Sequence, residues 1–309
     1  MRVPGLAVVL LAAVGSAGCF PDYEVGGGSG GNGGGPVYIG VTGATFEDDL
    51  GSDQFRVRFT NSFQVDQYEV TVQRFRNWLD SGGTLPCDGC SLDPGGPYEK
   101  TMIWDAAWND YATDSHFATD NPTGTCTAPP PYAPPTTWMV GEPQNNDYPM
   151  TCVSWFQAAA FCFWEGNRLL TQAEWMYVAT SSGKRKTDYP WGNEPPTCDR
   201  ATIADCDFPK NVGDDTYDGR TLDGVQDLAG SVYEWVWDAT WTSGSPPLDV
   251  ENYTGPAPSG PAEAVLRARR GGAFINDSSS DHLRNDFVEP FAAGEFYADA
   301  GFRCARSDF

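Results

Sequence analysis

The chain has 309 residues, 40% of them hydrophobic and 13% aromatic, with 11 Trp, which is enough for a large core and excludes both a small disulfide-stapled module and global disorder. Its 19 basic residues face 42 acidic ones, a net charge of −23, so no basic surface is left for nucleic acid or for anionic lipid headgroups. Carboxylate in this excess suits divalent cations or plain solubility. Gly (35) and Pro (24) make up about 19% of the chain against a usual ~12%, which predicts many turns and little regular structure.

Met1-Arg2 gives a positive start, and Gly5 to Val14 is apolar but shorter than the ~20 residues that span a bilayer. Gly15-Ser16-Ala17-Gly18 and then Cys19 follow, a pattern that resembles a bacterial lipoprotein signal, although Ser16 stands where Leu is usual. The resemblance implies removal of residues 1–18 and lipid on Cys19; ordinary secretion with an unmodified Cys19 is the alternative. Residues 19–36 then form a tether, because the Gly-rich run from Gly26 to Gly35 is a flexible coil. The expectation is an exported protein anchored by lipid to the cell envelope. Phe20 does not look like an inner-membrane retention signal, which prefers the outer membrane. A single folded domain over 37–309 follows the tether.

Export bears on the remaining eight cysteines, Cys87, Cys90, Cys126, Cys152, Cys162, Cys198, Cys206 and Cys304. An even number in an oxidising compartment reads as disulfides, and sequence alone leaves their pairing open. Cys87-Asp88-Gly89-Cys90 could instead be half a zinc site with Cys126 and Cys152, but exported thiols oxidise and no His lies near the pair.

In chain order, Phe63 to Val70 alternates and is rich in β-formers, which predicts a strand. Thr71 caps a short helix that sets Val72, Phe75 and Leu79 on one face, and Gly82-Gly83 stops it. Periodicity is weak over about 84–146, and Pro129-Pro130-Pro131-Tyr132-Ala133-Pro134-Pro135 forbids helix or central strand there, so this stretch reads as a loop-rich insertion on the surface. Ser154-Trp155-Phe156-Gln157 is a capping box that opens a helix ending at Gly166. Thr171-Gln172-Ala173-Glu174 opens a second, running to Gly183. Short strand-like pieces close the chain at Val232 to Trp237, Gly272 to Ile275 and Gly301 to Ala305. One irregular α+β domain is the economical reading.

Seven motifs fall in order along this domain: Tyr68-Glu69-Val70-Thr71 with Phe75-Arg76; Pro149 to Trp155; Arg168 to Trp175; Tyr189-Pro190-Trp191-Gly192-Asn193; Asp227 to Trp235; Arg270-Gly271-Gly272-Ala273-Phe274; and Gly301-Phe302-Arg303-Cys304. The series resembles the formylglycine-generating enzyme family, also called the sulfatase-modifying factor domain, over roughly residues 60–306. The resemblance implies an irregular, loop-rich α+β fold distantly like C-type lectins. It also implies oxidation of a sulfatase cysteine by dioxygen and copper(I), the metal being held by two cysteines five apart just after a Gly-Gly-Ser motif. Here those two positions carry Asn276 and Asp281, the Ser is Ala273, and 273–303 contains no cysteine. Oxygen and nitrogen donors are poor copper(I) ligands, so copper is not expected. Relatives described as non-haem iron enzymes need two His and a carboxylate; this chain has only His116 and His282, at no ligand-like spacing.

The resemblance further implies a disulfide between Cys162 and Cys304. The family's second bridge would fall at Ala179 and Asp286, where both cysteines are missing, and Cys198 with Cys206 is a candidate local replacement. Asp227, Gly230, Val232 and Glu234 match a calcium site of the family, two carboxylates with two backbone carbonyls between them, a donor set that suits a hard cation. A solvated acidic turn is the competing reading. A second calcium site of the family would need Asn where Thr202 stands, and is not expected.

Glu142-Pro143-Gln144-Asn145-Asn146 and Trp108-Asn109-Asp110 look like the sugar-binding motifs of C-type lectins, but in the reverse order. Three functional readings follow. The first is a binding or scaffold domain whose ligand is a peptide, a protein or a glycan. The second is an enzyme of the same family with another site. The third is a calcium-dependent lectin-like binder.

Overall fold

Each of the three main helices begins where a hydroxyl takes up a free backbone N–H. Thr71, in extended conformation, accepts from Arg74 N, and Ser154 with Gln157 and Thr171 with Glu174 complete reciprocal capping boxes. The computed structural model describes residues 37–39, 45–50, 53–113, 137, 145–206, 210–214, 219–240, 250–255 and 261–308. The signal segment, Cys19, the Gly-rich tether, His116 and Cys126 lie outside them. Among the described residues no helix is long and apolar enough to cross a membrane.

The chain runs through β1 (Val37–Ile39), β2 (Thr45–Leu50), β3 (Asp53–Arg58) and β4 (Phe63–Val65) into α1 (Val72–Asp80). A 3-10 turn (Ala106–Trp108) leads into the one-turn α2 (Asn109–Ala112). Then come α3 (Trp155–Trp164), β5 (Arg168–Leu169), α4 (Gln172–Ala179), β6 (Tyr233–Ala239) and β7 (Val250–Glu251). The chain closes through β8 (Leu266–Arg270), β9 (Glu289–Ala292), β10 (Ala300–Gly301) and β11 (Cys304–Ser307). Among the described residues three small sheets result, in the orders β1-β4-β11-β5, β10-β6-β8-β9 and β2-β3-β7. The last strand returns to the first part of the domain, with Ala305 opposite Val65, while Cys304 faces Leu169 on its other side. Mixed short strands, few helices and long connections make this an irregular α+β domain.

α3 is buried on almost every side, from Trp155 to Phe163, and forms the centre of the larger core cluster with Phe75, Trp78, Trp235 and Phe302. Cys162 on α3 is bridged to Cys304 on β11 across 142 residues of chain. In the chain-entropy view a loop of that length makes the bridge worth ~5 kcal/mol, and a Cys198–Cys206 bridge, also present, about half that. Cys87 pairs with Cys90, so those two thiols are spent on each other rather than left for zinc.

Three expectations need correction. The strand anticipated over Phe63 to Val70 stops at Val65. The piece Gly272 to Ile275 is no strand: Gly271 and Gly272 both have positive φ, and the strand lies just before them at Leu266–Arg270. The first part of the 84–146 insertion is not surface loop. Leu92, Tyr98, Met102 and Trp104 are at most 3% exposed and join the main core. Backbone pairing puts them there: Leu92 N donates to Met102 O at 2.7 Å and Trp104 N to Cys90 O at 2.9 Å. Local periodicity cannot report a burial created by such loop-to-loop bonds.

Candidate functional site

β8 delivers Arg270, fully buried, whose Nη1 donates to the carbonyls of Asn285 (3.3 Å) and Phe287 (2.8 Å). The chain then turns through Gly271 (φ +91°) and Gly272 (φ +70°). A Cβ on Gly271 would stand 2.5 Å from the Leu228 carbonyl oxygen, and one on Gly272 2.8 Å from Leu283 Cδ2, so side chains are excluded at both positions. The turn is laced to the neighbouring segment 227–232. Gly230 N donates to Gly271 O and Phe274 N to Ser231 O, both at 2.9 Å. The residues expected to hold calcium and the positions where the family places its thiols are therefore adjacent through the backbone.

Asn276 uses its side chain to hold the turn: its Oδ1 accepts from Ala273 N at 2.7 Å, and its carbonyl accepts from Ala204 N at 2.9 Å. Asp281 is exposed and starts the 3-10 turn Asp281–Leu283. All seven cysteines among the described residues are disulfide-bonded, so none offers copper(I) a thiolate. The residues present do not fit a copper(I) ion, whose affinity comes from soft sulfur.

Beneath this surface lies a buried charge cluster. Glu234 and Arg303 are each 1% exposed; the guanidinium grips the carboxylate through Nε (2.9 Å to both oxygens) and Nη2 (2.6 Å to Oε1). Trp175 Nε1 adds a bond to Oε2 at 2.8 Å. Arg303 also donates to the carbonyls of Asp66, Gln67 and Gln226, which ties the last motif to the first. Asp227 sits in the left-handed region (φ 59°), and its Oδ2 accepts from Gly213 N at 2.6 Å. Burial pushes its carboxyl up to about 6. Glu69 is 1% exposed, and neither of its oxygens has a hydrogen bond of normal geometry. Burial, then the charge of Asp227, pushes Glu69 well above the carboxylate range. Three carboxylates against one guanidinium leave negative charge to be neutralised by a proton or a cation.

Among the described residues no group of three His, Cys, Asp or Glu side chains is placed to hold a metal. A calcium ion at Asp227 and Glu234 would have to draw on the carbonyls of Gly230 and Val232, as the donor set expected from the sequence does, and would share Glu234 with Arg303. Glu69, buried beside Asp227, adds a charge that a proton or a nearby cation would have to offset.

A second cluster stands beside Asp281. Arg269 on β8 is 1% exposed and bonded to Asp299 (3.2 Å) and Glu289 (3.4 Å). Its guanidinium lies 3.5 Å from the Phe291 ring centroid, with Tyr233 and Tyr297 at 4.4 and 4.7 Å. A hydrogen bond joins the Tyr233 hydroxyl to His282 Nδ1, and Glu289 lies 3.7 Å from the same nitrogen. Burial, then the Glu289 charge, raises the Tyr233 phenol. Burial would raise Glu289, but hydrogen bonding from His282 and the Arg269 charge outweigh it and hold the carboxyl low. The imidazole stacks on Phe287 at 4.1 Å and remains about a third exposed. A His held in this way through Nδ1 can present its ring edge to a ligand as a hydrogen-bonding group.

Sequence reasoning placed Glu69, Tyr233 and Arg303 inside motifs without giving them roles, and it missed Arg269, Glu289 and Asp299 as partners. An Arg in a β-rich run near the end of a domain was the one available signal. Two residues of the lectin-like triplet are engaged in the fold: Asn109 Oδ1 accepts from Trp104 Nε1 at 2.8 Å, and Trp108 packs on Trp104, Trp155 and Phe156, while Asp110 is exposed. Asn145 and Asn146 accept backbone bonds from Tyr148 and Gln73, while Glu142 to Gln144 lie outside the described residues.

Residues 33–308 match the model of the sulfatase-modifying factor enzyme 1-like domain. A formylglycine-generating enzyme of Thermomonospora curvata is 27% identical over 269 residues, covering 79% of this chain and 81% of that protein. A hercynine oxygenase of Mycolicibacterium thermoresistibile is 28% identical over 239 residues, covering 73% of this chain and 46% of its own. Among solved structures, Treponema denticola variable protein 1 shares the fold with a TM-score of 0.56 at 18% identity, over 88% of this chain and 95% of that one.

Proposed function

The chain belongs to the sulfatase-modifying factor enzyme 1-like family, and we propose that within it this protein is a binding or scaffold domain at the cell envelope, without copper-dependent cysteine oxidation. The formylglycine-generating enzyme and the hercynine oxygenase bear different activities in their names, so membership alone does not fix the chemistry. The observation that carries the reading is the donor set after the double-glycine turn: Asn276 is tied into that turn, Asp281 is a surface carboxylate, and the described cysteines are all bridged. Lipid on Cys19 and the tether to residue 36 would hold the domain at the envelope, most simply at the outer membrane. Calcium at Asp227, Gly230, Val232 and Glu234 would neutralise the buried carboxylates and stiffen the turn. The ligand is a peptide, a protein or a glycan, and nucleic acid is disfavoured by the net charge of −23.

Titration of the purified, unreduced protein with copper(I) against a chromogenic chelator tests the reading. No tight stoichiometric binding is expected; tight one-to-one binding would overturn it. A second reading, an enzyme of this family with another chemistry, is favoured by the oriented His282. Turnover of a substrate that disappears in His282→Ala while folding is retained would select it. Glycan binding abolished by a calcium chelator would select the lectin-like reading instead.

A further inference from the structure

We infer that Cys87 and Cys90 form a thiol–disulfide exchange site that passes electrons to or from a cysteine pair of a partner protein. The two are bridged in a Cys-Asp-Gly-Cys turn, the spacing at which one sulfur can both open and reclose on the other without chain rearrangement. Their environments differ. Cys87 is exposed with Asp88 and Gly89, whereas Cys90 is 2% exposed. An incoming thiolate can therefore reach Cys87 and leave Cys90 as the departing thiolate, the division of labour that exchange requires.

The turn does not depend on its bridge. Gly89 N donates to Trp104 O, Trp104 N to Cys90 O and Cys90 N to Cys87 O, all between 2.9 and 3.0 Å. Asp88 Oδ1 accepts from Ala106 N at 3.0 Å, and Trp104 beneath is fully buried. Reduction can open the sulfur–sulfur bond while this frame stays in place. The other bridges are built differently. Cys162 and Cys304 are at most 1% exposed and close 142 residues, and Cys198–Cys206 closes eight. A bridge at a separation of three removes little chain entropy, so fold stability is the weakest reason for having it.

The step balances as an ordinary exchange. A partner thiolate attacks Cys87 Sγ, the Cys87–Cys90 bond breaks, and Cys90 leaves as thiolate. The partner's second thiolate then attacks the partner sulfur of the mixed disulfide and releases Cys87. Two electrons have moved from the partner dithiol to this pair, and two protons follow from solvent. Asp88 beside the pair does not favour a thiolate, so the bridged form is the resting one and the partner's own poise sets the direction.

The experiment is a redox titration of the full-length purified protein in glutathione buffers, quenched with acid, alkylated and mapped by mass spectrometry. The Cys87–Cys90 bridge is expected to open at a distinctly less reducing poise than Cys162–Cys304, with tryptophan fluorescence unchanged. Opening of all bridges together, or only with unfolding, would overturn the inference. Single-cysteine variants give the independent arm. In Cys90→Ser, Cys87 should form a mixed disulfide with an aromatic disulfide reagent at least about tenfold faster than Cys90 does in Cys87→Ser, because only Cys87 is accessible. Equal rates, or a faster Cys90, would contradict it, and if a variant does not fold the wild-type titration still decides.

Discussion

The turn at 227–234 and the loop at 271–289 touch through two backbone hydrogen bonds, yet they hold the family pattern to different degrees. The first keeps every residue that the resemblance assigns to it. The second keeps the double glycine and loses the sulfur. Burial explains the contrast. Glu234 and Arg303 are locked together in the core, where replacing either alone strands a buried charge at a large cost in stability. Asn276 and Asp281 lie at or near the surface, where exchanging a metal ligand for a turn-former leaves the packing intact. A fold of this kind can host different chemistries because functional residues sit at a few replaceable positions of its loops.

Breaking the buried side of the comparison should give the largest effect. Arg303→Met leaves the buried Glu234 carboxyl without its cation, and is expected to lower stability by ~3–5 kcal/mol in denaturant unfolding; adding Glu234→Gln should recover part of the loss. A change below ~1 kcal/mol would mean that the pair does not hold the turn.

A smaller effect should sharpen the calcium assignment. The Asp227 carboxyl has an ordinary value of 3.8 and is raised to about 6 in the fold, and Asp238, which is buried, is raised to about 7. A raised acid means that the folded state holds a proton already lost by the unfolded one. Without a cation, stability should therefore fall as pH rises from about 4 to 7. Calcium prefers ionised Asp227, so the gain in unfolding midpoint at millimolar calcium should be larger at pH 7.5 than at pH 5. An equal midpoint with and without calcium at both pH values would remove the cation from the account.

Sequence gives up the helices readily, since Ser154 with Gln157 and Thr171 with Glu174 are local signals for local structure. It hides the core role of Leu92, Tyr98, Met102 and Trp104, because loop pairing across the turn buries them and no periodicity announces it. The Gly271-Gly272 turn is legible as a motif but misleads as a strand, since its φ values belong to neither helix nor sheet. The Arg269 cage is the least legible part. Its partners are Tyr233 on β6, Glu289 and Phe291 on β9, and Tyr297 and Asp299 in the connection to β10, and each is unremarkable in its own stretch of chain.

The most direct measurement is incubation of the purified protein with copper(I), dioxygen and a sulfatase-derived cysteine peptide, followed by mass spectrometry of the peptide. The expected product is the unchanged thiol or its simple disulfide. Catalytic conversion of that cysteine to the aldehyde would contradict it.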